Sequence, residues 1–150
     1  MVTISIYGEE KQVPQGTSFE QIAEDYQEKY GGLIAVAAAN GKIRELFKKV
    51  TKDCQVEFFT LKDDVGHKTY VRTATMLFLK AVCDVFGAEA ARECRVEFAI
   101  GHGYYVNPFG KVSSTEENAG KIRQRMEELV RDKAPFRKRS YPLEDAMELF

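Results

Sequence analysis

Two side chains that build most reactive centres are scarce in this chain of 150 residues: there are only two histidines, His67 and His102, and three cysteines, Cys54, Cys83 and Cys94. Metal centres generally need three or four ligands, and neither histidine has a cysteine, histidine or carboxylate cluster at ligand spacing, so no metal site is expected. No CxxC pair occurs, and an odd cysteine count gives no disulfide framework. No histidine lies near Cys54 or Cys94 in sequence to activate a thiol. The expected setting is therefore reducing and cytoplasmic. Long apolar runs are also missing: "LIAVAAA" and "TMLFLKAV" fall well short of the ~20 residues that cross a bilayer, and no basic-then-apolar leader opens the chain. Nor is there a surplus of either charge. With 22 basic and 23 acidic residues the formal net charge is -1. A global field for nucleic acid or an anionic membrane is absent, and any RNA binding has to be local.

What is present alternates between strand and helix periods. "VTISIY" sets Val2, Ile4 and Ile6 against Thr3, Ser5 and Tyr7, the pattern of a half-buried strand. "GEEK" is expected to turn and "QVP" to form a short second strand ended by Pro14. Thr17 or Ser18 can cap a helix, with Glu20 or Gln21 as capping-box partner and Phe19, Ile22, Ala23 and Tyr26 on its apolar face, running to about Tyr30. "LIAVAAANGKIREL" carries the Asn-Gly signal of a hairpin, and "CQVEFFTL" alternates again. Together these predict an α+β unit over residues 1–62, in which one helix crosses a small mixed sheet.

"KDDVGHK" is polar and is read as the boundary to a second unit over residues 63–150. Met76, Leu79, Cys83 and Phe86 recur at helical spacing, which predicts a buried helix with Cys83 in the core. "RVEFAIGHGYYVNPFG" reads as strand, glycine turn and strand. Ser113, Ser114 or Thr115 caps an amphipathic helix with Ile122, Met126, Leu129 and Val130 on one face, ending before Pro135. "YPLEDAMELF" starts a last helix that the chain leaves unfinished at Phe150, as in a fragment of something longer. "GHKT" imitates the end of a phosphate-binding loop. However, His67 separates Gly66 from Lys68, the motif's first glycine would fall at Leu61, and the preceding "KDDV" is acidic, so that reading fails.

With the elements placed, residues 1 to about 60 resemble a TGS domain, a ubiquitin-like β-grasp module. The resemblance rests on the opening strand, "VPQGTSFEQIA" and "AVAAANGKIREL". Residues 64 to 150 resemble the second N-terminal domain of threonyl-tRNA synthetase, which in that family hydrolyses mischarged tRNA. Here the matching segments are "RTATMLFLKAV", "IGHGYYV", "MEELVRDKAPFRKR" and "LEDAMELF", in the family's order. The resemblance puts Arg72 and Met76 where that family carries His-x-x-x-His. Arginine stays protonated and a thioether is a weak acceptor, so neither replaces a neutral imidazole, and no catalytic residue is expected. The segment from Gly66 through "IGHGYYV" is also similar to the N-terminal region of bacterial uridine kinase-like proteins. There a TGS domain and a degenerate editing-like domain precede a nucleoside kinase domain that this chain lacks.

What the kinase resemblance implies is a regulatory or ligand-binding region that works with its own C-terminal kinase domain. ATP and magnesium would belong to that kinase domain only. The alternative is a tRNA-binding module related to threonyl-tRNA synthetase. In the family fold the helix start and the glycine hairpin face one cleft, which nominates Lys68, Tyr70, Arg72, His102, Tyr104 and Tyr105 as a remnant pocket for a nucleoside, nucleotide or other anion. The bland reading makes the histidines solvated loop residues and Tyr104 and Tyr105 alternating sheet residues, one buried and one exposed. Arg137, Lys138 and Arg139 form the sharpest local basic patch for RNA, although acidic residues interleave with the basic ones along the preceding helix, as on a solvated face. No membrane partner is expected.

Overall fold

A computed structural model describes residues 1–101, 103–107 and 113–149. The chain forms two compact units, Met1–Met76 and Leu77–Phe150.

The first unit is a five-stranded mixed sheet crossed by a helix. Strand β1 (Val2–Ile6) buries Val2, Ile4 and Ile6 on one face, as its alternation dictates, and pairs antiparallel with β2 (Glu9–Val13). The turn falls at Tyr7-Gly8, both at positive φ (53° and 82°), rather than at "GEEK". A two-residue turn with both φ positive matches the twist of the flanking strands, so Glu9 to Lys11 join the ladder. Helix α1 (Phe19–Tyr26) takes Ser18 as its cap: the Ser18 hydroxyl accepts from the Gln21 N–H at 3.2 Å, and the Ser18 N–H donates to Gln21 Oε1 at 3.0 Å. The Thr17 hydroxyl instead donates to the Pro14 carbonyl at 2.8 Å. The helix ends at Tyr26 and tightens into a 3-10 turn over Gln27–Lys29.

Strand β3 (Ile34–Ala39) returns through Asn40-Gly41 into β4 (Lys42–Arg44), as the Asn-Gly signal predicts. Strand β5 (Cys54–Thr60) then inserts between β1 and β3, parallel to the first and antiparallel to the second, giving the order β2-β1-β5-β3-β4. Ile4, Ile6, Phe19, Ile22, Tyr26, Val50, Val56 and Phe58 close one hydrophobic core between sheet and helix. Each such aliphatic side chain contributes roughly 1.5–3 kcal/mol on burial.

The polar segment expected to mark a boundary is helical. Helix α2 (Asp64–Phe86) starts four residues after β5 ends, and the compact units divide within it. Asp63 makes so short a connection possible: its carboxylate accepts from the Thr60 N–H at 2.6 Å and the Thr60 hydroxyl at 2.8 Å. Those bonds hold the Asp63 carboxyl below the usual carboxylate range. A depressed carboxyl contributes stability that is present above its unfolded pKa and is lost as pH falls through the folded value. Asp63→Asn keeps an acceptor but removes the charge. It should therefore melt below wild type at pH 7 and converge with it as pH falls through the lowered pKa of Asp63, read by thermal denaturation across the acid range. A gap unchanged at low pH would assign the effect to packing.

In the second unit, α2 is followed by α3 (Ala88–Glu93), a short helix whose six residues carry no readable periodicity, and by the ribbon β6 (Arg95–Ile100) and β7 (Gly103–Asn107). Helix α4 (Glu116–Arg131) is capped by Thr115, whose hydroxyl accepts from the Asn118 N–H at 3.2 Å, and α5 (Leu143–Leu149) follows. Val82, Ala90 and Cys94 make a small core against Phe78, Leu79, Phe86, Val106 and Ile122. Arg125 fastens α4 to α2 by donating to Asp84 at 3.0 Å, and its other donor goes to Glu128 on α4 itself, also at 3.0 Å. Hydrogen bonding from Lys80, and then from Arg125, holds the Asp84 carboxyl low.

Several side-chain expectations change. Met76 is 60% exposed and Val130 63% exposed, so neither joins its helix's buried face. Cys83, expected in the core, is half-buried, while Cys94, directly before β6, is buried. Burial pushes the Cys94 thiol up to about 11. The reason is geometric: a helical stripe fixes which residues share a face but not how much of that face a small core can cover.

Candidate nucleic-acid interface

In the first unit, the β3–β4 turn and the segment from Lys48 to Lys52 enclose a concavity of about 410 Å³. Lys42, Arg44, Lys48, Lys49 and Lys52 line it, together with Asn40 and Thr51, and no acidic residue does. All five cations are exposed.

The local sequence explains why this surface is firm. Asn40 and Gly41 take positive φ (49° and 72°), and Asn40 clamps the neighbouring strand: its N–H donates to the Gln55 carbonyl and its Oδ1 accepts from the Gln55 N–H, both at 2.8 Å. The Lys48–Lys52 segment is laced to residues 15–19. Gly16 N–H donates to the Val50 carbonyl at 2.8 Å, Val50 N–H to Thr17 at 2.9 Å, and Phe19 N–H to Lys48 at 2.9 Å. Gln15 Nε2 reaches the Thr51 carbonyl at 3.0 Å, and the Val50 side chain is buried in the core. The backbone under the lysines is thus fixed, and binding an anion would order only their side chains.

The concavity was not among the residues singled out from sequence. The signal was present, since five of the eleven residues in "KIRELFKKVTK" are basic, against a chain with net charge -1. It passed for an ordinary hairpin and loop because a charge run says nothing of a concave backbone beneath it.

The nominated remnant pocket divides between the two units. Lys68, Tyr70 and Arg72 lie on the part of α2 that belongs to the first unit, and all three are exposed. Lys68 is already paired with Asp64, one helical turn away, at 2.6 Å. Arg72 and Met76 sit at i, i+4 on one helix face, the spacing the histidine pair would need, and both are exposed. Tyr104 and Tyr105 lie on β7 of the second unit, 48% and 40% exposed, instead of one buried and one exposed. Tyr105 stacks on Phe98 with ring centroids 5.2 Å apart. His102 lies outside the described residues, and His67 is exposed in the first turn of α2. Among the described residues no group of three or more His, Cys, Asp or Glu could hold a metal ion, and no helix is long and apolar enough to cross a membrane.

Arg137, Lys138 and Arg139 are exposed on the irregular segment between α4 and α5. On α4 itself, Lys121 pairs with Glu117 at 2.6 Å and Arg125 with Asp84 and Glu128, so much of that helix's positive charge is already neutralised. The second unit carries an apolar groove of about 690 Å³ where Leu77 and Phe78 meet Ala119, Ile122, Met126 and Val130.

Comparison with known proteins gives relatives along almost the whole chain. They include the threonine–tRNA ligases of several bacteria. That of Clostridium kluyveri is 28% identical over 153 residues, covering 99% of this chain and 23% of the relative. That of Thermotoga petrophila is 28% identical over 151 residues, covering 95% and 22%. That of Clostridium acetobutylicum is 30% identical over 112 residues, covering 75% and 17%. The chain thus spans less than a quarter of the length of the curated relatives it matches. No family model matches it.

Proposed function

We propose that this chain is a non-editing tRNA-binding module related to the N-terminal domains of threonyl-tRNA synthetase. The observation that carries the reading is the match of 99% of the chain to a threonine–tRNA ligase, which runs through both compact units. The resemblance to uridine kinase-like proteins has no counterpart among the relatives described above, and the kinase-linked role yields to the alternative. In this reading the first unit is a TGS-type β-grasp domain. Support comes from its strand order, in which the last strand lies parallel to the first at the centre of the sheet, with one helix crossing. The second unit is an editing-like scaffold without the editing chemistry. Arg72 and Met76 occupy the histidine positions, and neither accepts a proton at neutral pH. Arg137, Lys138 and Arg139 belong to the RNA-facing surface.

Two measurements test this. The 150-residue protein should bind unfractionated tRNA with an affinity that falls steeply as salt rises, read by fluorescence anisotropy. It should hydrolyse mischarged threonine tRNA no faster than buffer does. Hydrolysis that disappears in Arg72→Ala would sink the non-editing part. Stabilisation by uridine or a uridine nucleotide with no response to tRNA would restore the kinase-linked reading.

A further inference from the structure

We infer that the basic concavity of the first unit is where RNA backbone phosphates bind, a role that rests on the tRNA-binding reading but is carried by residues no sequence motif marks. Five cations, Lys42, Arg44, Lys48, Lys49 and Lys52, line one concave surface with no acidic residue among its lining. Like charges held this close repel one another, and an anion seated between them relieves the repulsion. Because the whole chain is slightly acidic, the attraction of this patch is local and fades within a Debye length of about 8 Å at physiological salt.

The form of the site favours a chain of phosphates over a small phosphorylated metabolite. Lys42 and Arg44 lie on β4, the sheet's edge strand, and Lys48, Lys49 and Lys52 on the facing segment, so the charge is spread along a track. The lining is mostly polar: the cations, Asn40 and Thr51 outnumber its four apolar members, of which Phe19 and Val50 are buried in the core. Phe47, half exposed next to Lys48 in the chain, has the Lys48 ammonium over its ring, 5.3 Å from the ring centre. Backbone bonds from residues 16 and 19 hold the lysine segment in place before any ligand arrives.

The test compares tRNA binding across a salt series for wild type, for Lys48→Gln/Lys49→Gln/Lys52→Gln, and for Lys11→Gln/Lys29→Gln/Lys121→Gln. The last removes the same charge from exposed lysines that are already paired with Asp25, Glu9 and Glu117. The concavity variant should lose roughly two orders of magnitude in affinity at about 0.1 M salt, and its log–log salt slope should shallow by about two to three. The control should lose far less. In the unmutated chain, tRNA should also shield Lys42, Lys48, Lys49 and Lys52 from an acetylating reagent more than Lys11, Lys29 and Lys121. Equal losses in the two triple variants, or no shielding, would overturn the inference while leaving tRNA binding in place. Failure of wild type to bind tRNA at all would overturn the functional reading and this inference together.

Discussion

Gly66→Ala is expected to destabilise the first unit by roughly 3 kcal/mol, the upper end of the usual cost of overpacking because backbone has to move aside. Gly66 has an ordinary helical φ, so the reason is space and not conformation. A Cβ there would stand 1.9 Å from the Thr60 carbonyl oxygen and 2.7 Å from its carbon. Both are backbone atoms of the strand end to which Asp63 ties the start of α2, and neither can rotate away. Helix and strand would have to part, breaking the Asp63 bonds as they do. Gly120→Ala makes the contrast: that glycine lies inside α4 with no atom within 4 Å of the added Cβ, so the substitution should stabilise by up to about 1 kcal/mol. Urea denaturation of both variants reads the two signs. A neutral Gly66→Ala would mean that strand and helix do not meet as closely as the structure has them.

Ile4→Ala should cost about 2–5 kcal/mol, through lost burial plus the cavity left behind. Ile4 is 0% exposed in the centre of the sheet, with β2 on one side of its strand and β5 on the other, and it belongs to the core that α1 covers. Two bonded neighbours leave the strand little room to collapse into the space. Ile43, half exposed on the edge strand, should tolerate alanine within about 0.5 kcal/mol. The chain has no tryptophan, so near-ultraviolet circular dichroism of Tyr26 and Tyr30, both packed near Phe58, is the suitable probe of this core. A cost near that of Ile43→Ala would place the core elsewhere.

Local signals carried well where they were chemically specific. The Ser18–Gln21 capping box, the Asn40-Gly41 turn and the alternation of Val2, Ile4 and Ile6 each depend on residues within a few positions, and each forms as read. The α2 start was misplaced because the polarity of "KDDVGHK" suits both a linker and a solvated first helical turn. The decision between them is made by Asp63 bonding back to Thr60 and by Gly66 fitting against it. The exposure of Met76 and Val130 was misjudged for a different reason: the second unit buries few residues, and a helical stripe cannot report how little there is to pack against.

The remnant pocket nominated around Arg72 and Tyr104 came from a resemblance, and its members fall on separate compact units. The basic concavity exists only in the folded unit. What the sequence by itself determined was the α+β class, most strands and helices of both units, and the absence of a histidine pair on α2, because these follow from residue chemistry and short-range periodicity. Tertiary structure alone decided the insertion of β5 between β1 and β3 and the curvature that gathers Lys42, Arg44, Lys48, Lys49 and Lys52 around one hollow. Strand order is set by which hydrophobic faces can close over a common core, and the hollow by hydrogen bonds from Gly16, Phe19 and Gln55 to residues some 15 to 34 positions away. The basic residues show in a local window of the chain, but neither the strand order nor the concave backbone does.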